Sequence, residues 1–344
     1  MNHMDRKRVR AICALSLCIG ASLSHASPPT DPARMVEDFD AQVAARDSGA
    51  RLRRPAAQPS DSSLRLVERL NSQVLLSDGR DATIWEVNDG GREGFAIRAG
   101  DTLSVSVAEE DGLHVTGYTR GSRRVDHNTI PNAPEQFMPE YKDDTVETGD
   151  QQGDQTDSQD GKPPEVRVAA LVHDDVELSD EAILAAQFTR WIKHMETEVM
   201  PEGKVYVELR RRVAGVTDFT YGYDRALYDW RDAVTKILSP QEPFGYVRHL
   251  LLVNGKHVEP GAAGYAFLKG YSGMASVAYS SDVAAHEIGH MLGGVHERAA
   301  QREAGLLQSC VTTMWKEAGR RVPCYTYSVG NTALIREYHH LPPL

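Results

Sequence analysis

One eleven-residue stretch constrains this chain more than any other: His286-Glu-Ile-Gly-His290-Met-Leu-Gly293-Gly-Val-His296. Residues four apart on an α-helix lie one turn apart on the same face, so His286 and His290 can present two imidazoles to one ion. Gly293 falls three residues later, where glycine takes a positive φ at little steric cost and turns the chain sharply. That turn can bring His296 back as a third ligand from outside the helix. Ser280, Ser281 or Asp282 can cap the helix start. Three neutral imidazoles and one open position are the ligand set of a single catalytic zinc. Glu287, beside the first histidine, places a carboxylate where it can take a proton from an activated water. These residue types at these offsets arise by chance in about one chain in 10⁴, which sets aside the reading of a solvated helix face.

The ends of the chain add a compartment. Met1 to Arg10 carries Arg6, Lys7, Arg8 and Arg10 against Asp5, an apolar run follows from Ala11 to Leu23, and Ser24-His25-Ala26 closes it. A positive head, a short apolar centre and small residues before the break predict an export signal over residues 1–26 and a secreted or periplasmic product. The apolar run is too short for a membrane anchor, and the rest of the chain offers no longer one. Removal of that segment takes away Cys13 and Cys18, leaving Cys310 and Cys324. An exported protein with two cysteines most simply pairs them, with two free thiols as the alternative. A closed loop of about 15 residues contributes roughly 3 kcal/mol by loop-closure entropy.

Charge excludes one class of partner. The formal charge is −11, and nearer −14 once the basic leader is gone, which argues against nucleic acid. Most of that acidity sits in Pro131–Glu165, where ten acids face only Lys142 and Lys162. Such a composition cannot bury enough apolar surface to order itself and predicts a disordered linker over 131–165. The bulk charge therefore says little about a substrate.

On either side of the linker the texture differs. Residues 27 to about 60 are polar and weakly periodic. From Asn71 to Arg124, short period-two runs such as Ala82-Thr-Ile-Trp-Glu-Val and Thr102-Leu-Ser-Val-Ser-Val alternate with Gly/Asp turns, predicting a small antiparallel unit within 27–130. After the linker, Val166–Val172 reads as a buried strand and Ser179 caps a helix through Leu184, Phe188, Trp191, Ile192, Met195 and Val199. Lys204–Arg210 is a strand, Asp224 opens a helix carrying Leu227, Trp230 and Val234, and His249–Asn254 is a third strand. Two further strands, Gly264–Leu268 and Met274–Tyr279, precede the histidine helix. That order predicts an α/β (α+β) domain over 166–344 with a mixed twisted sheet. His249, His257, His339 and His340, the group Asp174, Asp175 and Glu177, and the indoles Trp191 and Trp230 read as structural.

The histidine pattern resembles the zinc signature of the metzincin metalloendopeptidases. Met314, in Cys310-Val-Thr-Thr-Met314-Trp, is similar to the methionine turn that this clan carries beneath its metal. The short spacing from His296 to Met314 resembles the reprolysin (adamalysin) branch and its bacterial relatives. The resemblance covers about residues 166–344. It implies one Zn²⁺ on His286, His290 and His296, with Glu287 as general base in hydrolysis of internal peptide bonds. Met314 would form an apolar floor, and an extended protein or peptide substrate would add to an edge strand at Ala263, Gly264, Tyr265, Ala266 and Phe267. Two departures stand out. Glu297 follows the third histidine where reprolysins usually have Asp, and Lys316 occupies the place of the tyrosine seen in astacins, so neither Tyr325 nor Tyr327 is assigned. Residues 27–130 read as a propeptide or as a retained accessory module. A monomer with no membrane span is expected. The alternative function is a non-catalytic, zinc-stabilised binding or adhesion protein.

Overall fold

Side chains of alternating burial organise the first half of the molecule into strands. The structure is a computed structural model that describes residues 31–48, 64–109, 111–131, 164–238, 247–303, 309–316 and 322–342. The expected export signal and most of the acidic linker lie outside these residues. A short 3₁₀ turn leads into α1 (Met35–Asp47). There follow β1 (Leu64–Arg69), β2 (Gln73–Leu75), β3 (Asp81–Asp89), β4 (Arg92–Ala99), β5 (Thr102–Glu109), β6 (Gly112–Thr119) and β7 (Val125–Pro131). Strands β3 to β7 form an antiparallel meander, and β1 pairs with the second half of β3. Helix α1 covers one face, with Phe39 edge-on to Trp85 at 6.3 Å.

The second half alternates as expected. Strand β8 (Glu165–Val172) leads to a helical run made of α2 (Asp180–Ile183), a π turn (Leu184–Phe188), α3 (Thr189–His194) and a second π turn (Met195–Val199). Ser179 Oγ accepts the N–H of Ala182 at its start, a cap worth about 1 kcal/mol. Then come β9 (Lys204–Arg211), α4 (Ala226–Ile237), β10 (Val247–Val253), β11 (Gly264–Ala266), β12 (Ser272–Ser276) and α5 (Val283–Met291). Helix α4 starts two residues after Asp224 because Arg225 takes a left-handed backbone (φ 74°), and its Leu227 N–H is satisfied from a distance by Glu259 at 2.9 Å. Leu250, Leu251, Leu252 and Val253 are fully buried, as an inner strand covered on both faces requires.

Strands β9, β8, β10 and β12 run parallel, and β11 lies antiparallel at the edge beside β12. This is the mixed, helix-covered sheet expected from the sequence. The sheet does not stop there. Strand β2 pairs in parallel with β9 (Gln73 opposite Tyr206, Val74 opposite Val207, Leu75 opposite Glu208), so one sheet of twelve described strands runs from β11 to β7. A shared core follows: Val74, Leu76, Ile84, Ile97, Leu113 and Val115 from the N-terminal strands pack with the helical run and with α5.

Polar contacts reinforce that seam. Asp180 and Glu181 are both buried. Asp180 pairs with Arg211 at 2.6 Å and accepts the N–H of Ser77 at 2.7 Å. Glu181 pairs with Arg80 at 2.9 Å and accepts from Thr102 Oγ1 at 2.8 Å. Lys193 reaches Glu86 at 2.6 Å, and Glu196 accepts the N–H of Asn71 at 2.9 Å. Helix α6 (Val329–Tyr338) closes the fold, after a small sheet of β13 (Gln301–Glu303), β14 (Ser309–Val311) and β15 (Val322–Pro323).

Candidate metal centre

Helix α5 carries the first two histidines on one face, and its C-terminus delivers the third. Gly293 has φ 95°. Its N–H bonds the carbonyl of His290 at 2.9 Å, and the N–H of Gly294 reaches back to Gly289 at 2.7 Å. This double return is the Schellman termination that glycine favours. Val295 then runs extended, with its N–H held by Asn331 Oδ1 at 2.8 Å, and His296 follows.

The three Nε2 atoms meet. His296 Nε2 lies 3.0 Å from those of His286 and His290, which are 3.1 Å from each other. His286 Nδ1 donates to the carbonyl of Thr313 at 2.7 Å, and His290 Nδ1 donates to that of Gly294 at 3.0 Å. Those bonds fix the tautomer of both rings, leaving Nε2 bare and aimed inward. Burial, with the neighbouring rings, lowers the pKa of His286 well below the usual imidazole range and that of His290 to about 3, so both stay neutral. Converging lone pairs repel unless a cation lies between them. Tetrahedral ligation at ~2.0–2.1 Å places nitrogens about 3.3 Å apart, close to the spacing found. The donor set therefore fits a metal ion, and these three residues can hold one. A second grouping, Glu109, Asp111 and His114, sits on an exposed hairpin where Glu109 is already paired with Arg92.

The surroundings are ordered from three directions. Glu287 is 1% exposed, and its carboxylate lies against the backbone of Gly264 in β11. A methyl group on Gly264 would sit 2.2 Å from Glu287 Oε1. Met314 is buried beneath α5, where a side chain on Gly289 would meet its Sδ at 2.4 Å. Cys310 and Cys324 are disulfide-bonded, joining β14 to the segment that carries Tyr325 and Tyr327. Tyr327 Oη donates to the carbonyl of Ala285 at 2.8 Å, and its N–H donates to His194 Nε2 at 2.9 Å. Ala263 and Phe267 flank β11, the end strand of the sheet, and Tyr265 lies in its middle.

Asp282 occupies the N-cap position of α5 without making a capping bond. Its Oδ1 instead accepts the hydroxyl of Thr313 at 3.2 Å. Burial pushes its pKa up to about 8. Thr313, Gly294, Asn331 and His194 all shape the centre, and sequence spacing pointed to none of them, while Gly264 was expected only as part of a substrate strand. Thr313, Asn331 and His194 are brought in by contacts across the fold, and Gly294 by the turn that ends α5. The residues read as structural behave as such: Asp175 holds Asn254 and Tyr221, Asp174 accepts from Thr217, and Trp191 and Trp230 are buried.

No protein-family profile matches the chain, and no curated protein matches it in sequence. Its fold is shared with a solved structure, metalloproteinase-II from Bacteroides fragilis. The two superpose with a TM-score of 0.53 at 13% sequence identity, over 80% of this chain and 87% of the other. The likeness is one of architecture, and in this chain that architecture brings together three histidines that could hold a metal ion.

Proposed function

We propose that this chain is an exported, zinc-dependent endopeptidase of the metzincin kind, close to the reprolysin-like branch, acting on protein or peptide substrates. The observation that carries this reading is the meeting of three bare imidazole nitrogens with the Glu287 carboxylate lodged between α5 and the edge strand. The shared architecture with a bacterial metalloproteinase supports it. The disulfide suits an oxidising compartment, and no described helix is long and apolar enough to cross a membrane.

A zinc ion held by His286, His290 and His296 would supply Lewis acidity to a water and to a substrate carbonyl. The chain's own groups do the rest. The carbonyls of Thr313 and Gly294 orient the ligand rings. Glu287 takes a proton at its carboxylate and returns it to the leaving amine. Strand β11 offers its backbone to an extended peptide, which lies across the helix face as an added strand. Met314 fills the floor and binds nothing.

Glu287→Gln tests this. The variant is expected to keep one zinc per chain by elemental analysis while cleavage of a quenched protein substrate falls about 100-fold or more. Equal rates for the two proteins, or no zinc in either, would overturn the reading and return attention to a non-catalytic binding role.

For residues 64–131 we infer a built-in part of the fold. The continuous sheet, the shared core and the buried pairs on Asp180 and Glu181 support it.

A further inference from the structure

The three ligands are not held alike. His286 and His290 stand on α5, and each ring is fixed by its own hydrogen bond to a backbone carbonyl. His296 lies beyond that helix, on a short segment where it is partly exposed and Glu297 and Arg298 are exposed. Burial does little to place such a segment, so its position depends on polar ties to the rest of the fold.

Those ties come from two directions. The N–H of Val295 donates to Asn331 Oδ1 at 2.8 Å. Ser328 Oγ caps α6 by accepting the N–H of Asn331 at 3.1 Å, and it donates to the carbonyl of Arg298. Farther on, Ala300 and Thr312 exchange two bonds, of 2.9 and 3.0 Å. The start of α6 therefore grips the third ligand on both sides, one residue before it and two after. Helix α6 is anchored in turn, because buried Arg336 donates to the carbonyl of Val199 and pairs with Glu202 at 2.9 Å.

Asn331 is the tie nearest the ligand. It is 0% exposed, and no acceptor among the described residues meets its Nδ2. A buried donor without a partner costs at least as much as one hydrogen bond contributes net, so fold stability alone gives no reason for an amide here. Among the described residues its Oδ1 accepts one bond, from the N–H next to His296.

We propose that Asn331 is a positioning residue for the third ligand: by holding the Val295 N–H it sets where His296 Nε2 stands against the other two, and so how tightly the centre holds its metal. This rests on the reading of the triad as a metal centre and not on peptide hydrolysis.

Zinc affinity is read on the full-length, metal-free protein by competition with a chromophoric chelator. Asn331→Ala, which removes the acceptor, is expected to weaken zinc binding by about tenfold or more. Asn331→Asp, which keeps an acceptor oxygen, is expected to stay within about threefold of wild type. In a His296→Ala background the alanine change at 331 is expected to alter affinity by less than about twofold, because the group it positions is gone. Cobalt(II) in place of zinc reports the geometry. The visible absorption of a four-coordinate site is expected in wild type and in Asn331→Asp, and a weaker one in Asn331→Ala. An Asn331→Ala protein with wild-type affinity and spectrum would overturn the proposal. So would equal losses in the two backgrounds, or a loss in Asn331→Asp as large as that in Asn331→Ala. Should the alanine chain not fold, Asn331→Ser, whose hydroxyl is too short to reach Val295, takes its place under the same expectations. A wild type that binds zinc and cleaves nothing would sink the endopeptidase reading and leave this one standing, whereas a wild type that binds no metal would overturn both.

Discussion

Gly264 and Glu287 show what a single atom does at this centre. Glu287 is adjacent to the first ligand in sequence, but its carboxylate is placed by β11, whose Gly264 leaves the space it fills. A Cβ there would lie 2.2, 2.7 and 2.7 Å from three atoms of the Glu287 side chain, inside any tolerable contact distance, so one of the two must move. Gly264→Ala is therefore expected to lower cleavage by about tenfold or more while zinc content is unchanged, because the ligands touch other groups. Loss of zinc with loss of activity would show instead that the strand, and not the carboxylate, had shifted. The histidines themselves were legible in sequence, since helical spacing is a local property. Gly264 was visible there only as part of an expected substrate strand, because its partner Glu287 is a contact between different elements.

At the scale of elements, the helical run from α2 to the second π turn matters as much as α5. Its outer side receives the N-terminal strands, and its inner side supports α5. His194, on α3, ties the run to the loop after the disulfide by accepting the N–H of Tyr327. Burial, partly opposed by Glu198, lowers its pKa to about 4 from 6.5. Between those values the unfolded chain binds a proton that the folded chain refuses. The contribution of His194 is thus complete above about pH 6.5 and is lost as the pH falls toward 4, by at most about 3 kcal/mol. Denaturant midpoints of the zinc-loaded protein should fall across that range, and His194→Gln, which keeps an acceptor, should flatten part of the slope. A slope identical in the two proteins would mean that His194 is not the group responsible. The helix was expected from its apolar spacing and its Ser179 cap. Its division by two π turns was not, because apolar spacing does not distinguish a π turn from an α turn.

At the scale of the whole molecule, the decisive feature is β2 lying parallel on β9. It makes the N-terminal meander and the half that carries the histidine triad one sheet with a shared core. Taking away either half would expose buried Val74, Leu76, Ile84, Val205, Val207 and Leu209 to water, at about 1.5–3 kcal/mol for each large side chain. The Arg80–Glu181 seam would be opened as well, stranding a buried carboxylate. A specific protease site inserted between Gln151 and Gly161 is accordingly expected to yield two fragments that co-elute on size exclusion and melt in one transition. Fragments that separate in native buffer would instead make residues 27–130 a leader released by cutting.

What the sequence determined by itself was local and periodic. Four-residue spacing placed two histidines on one helix face, a glycine stopped that helix, and alternating patterns assigned strands and helices in the right order, including the mixed sheet. Those features depend on neighbours within a few residues, where backbone geometry alone sets which side chains meet. Only the tertiary structure decided how the halves join, that the carbonyl of Thr313 orients His286, and where the Glu287 carboxylate lodges. Those outcomes rest on pairs far apart in the chain, such as Val74 with Val207 and Thr313 with His286. No periodicity encodes such pairs, because they form only when burying apolar faces brings distant segments into one core.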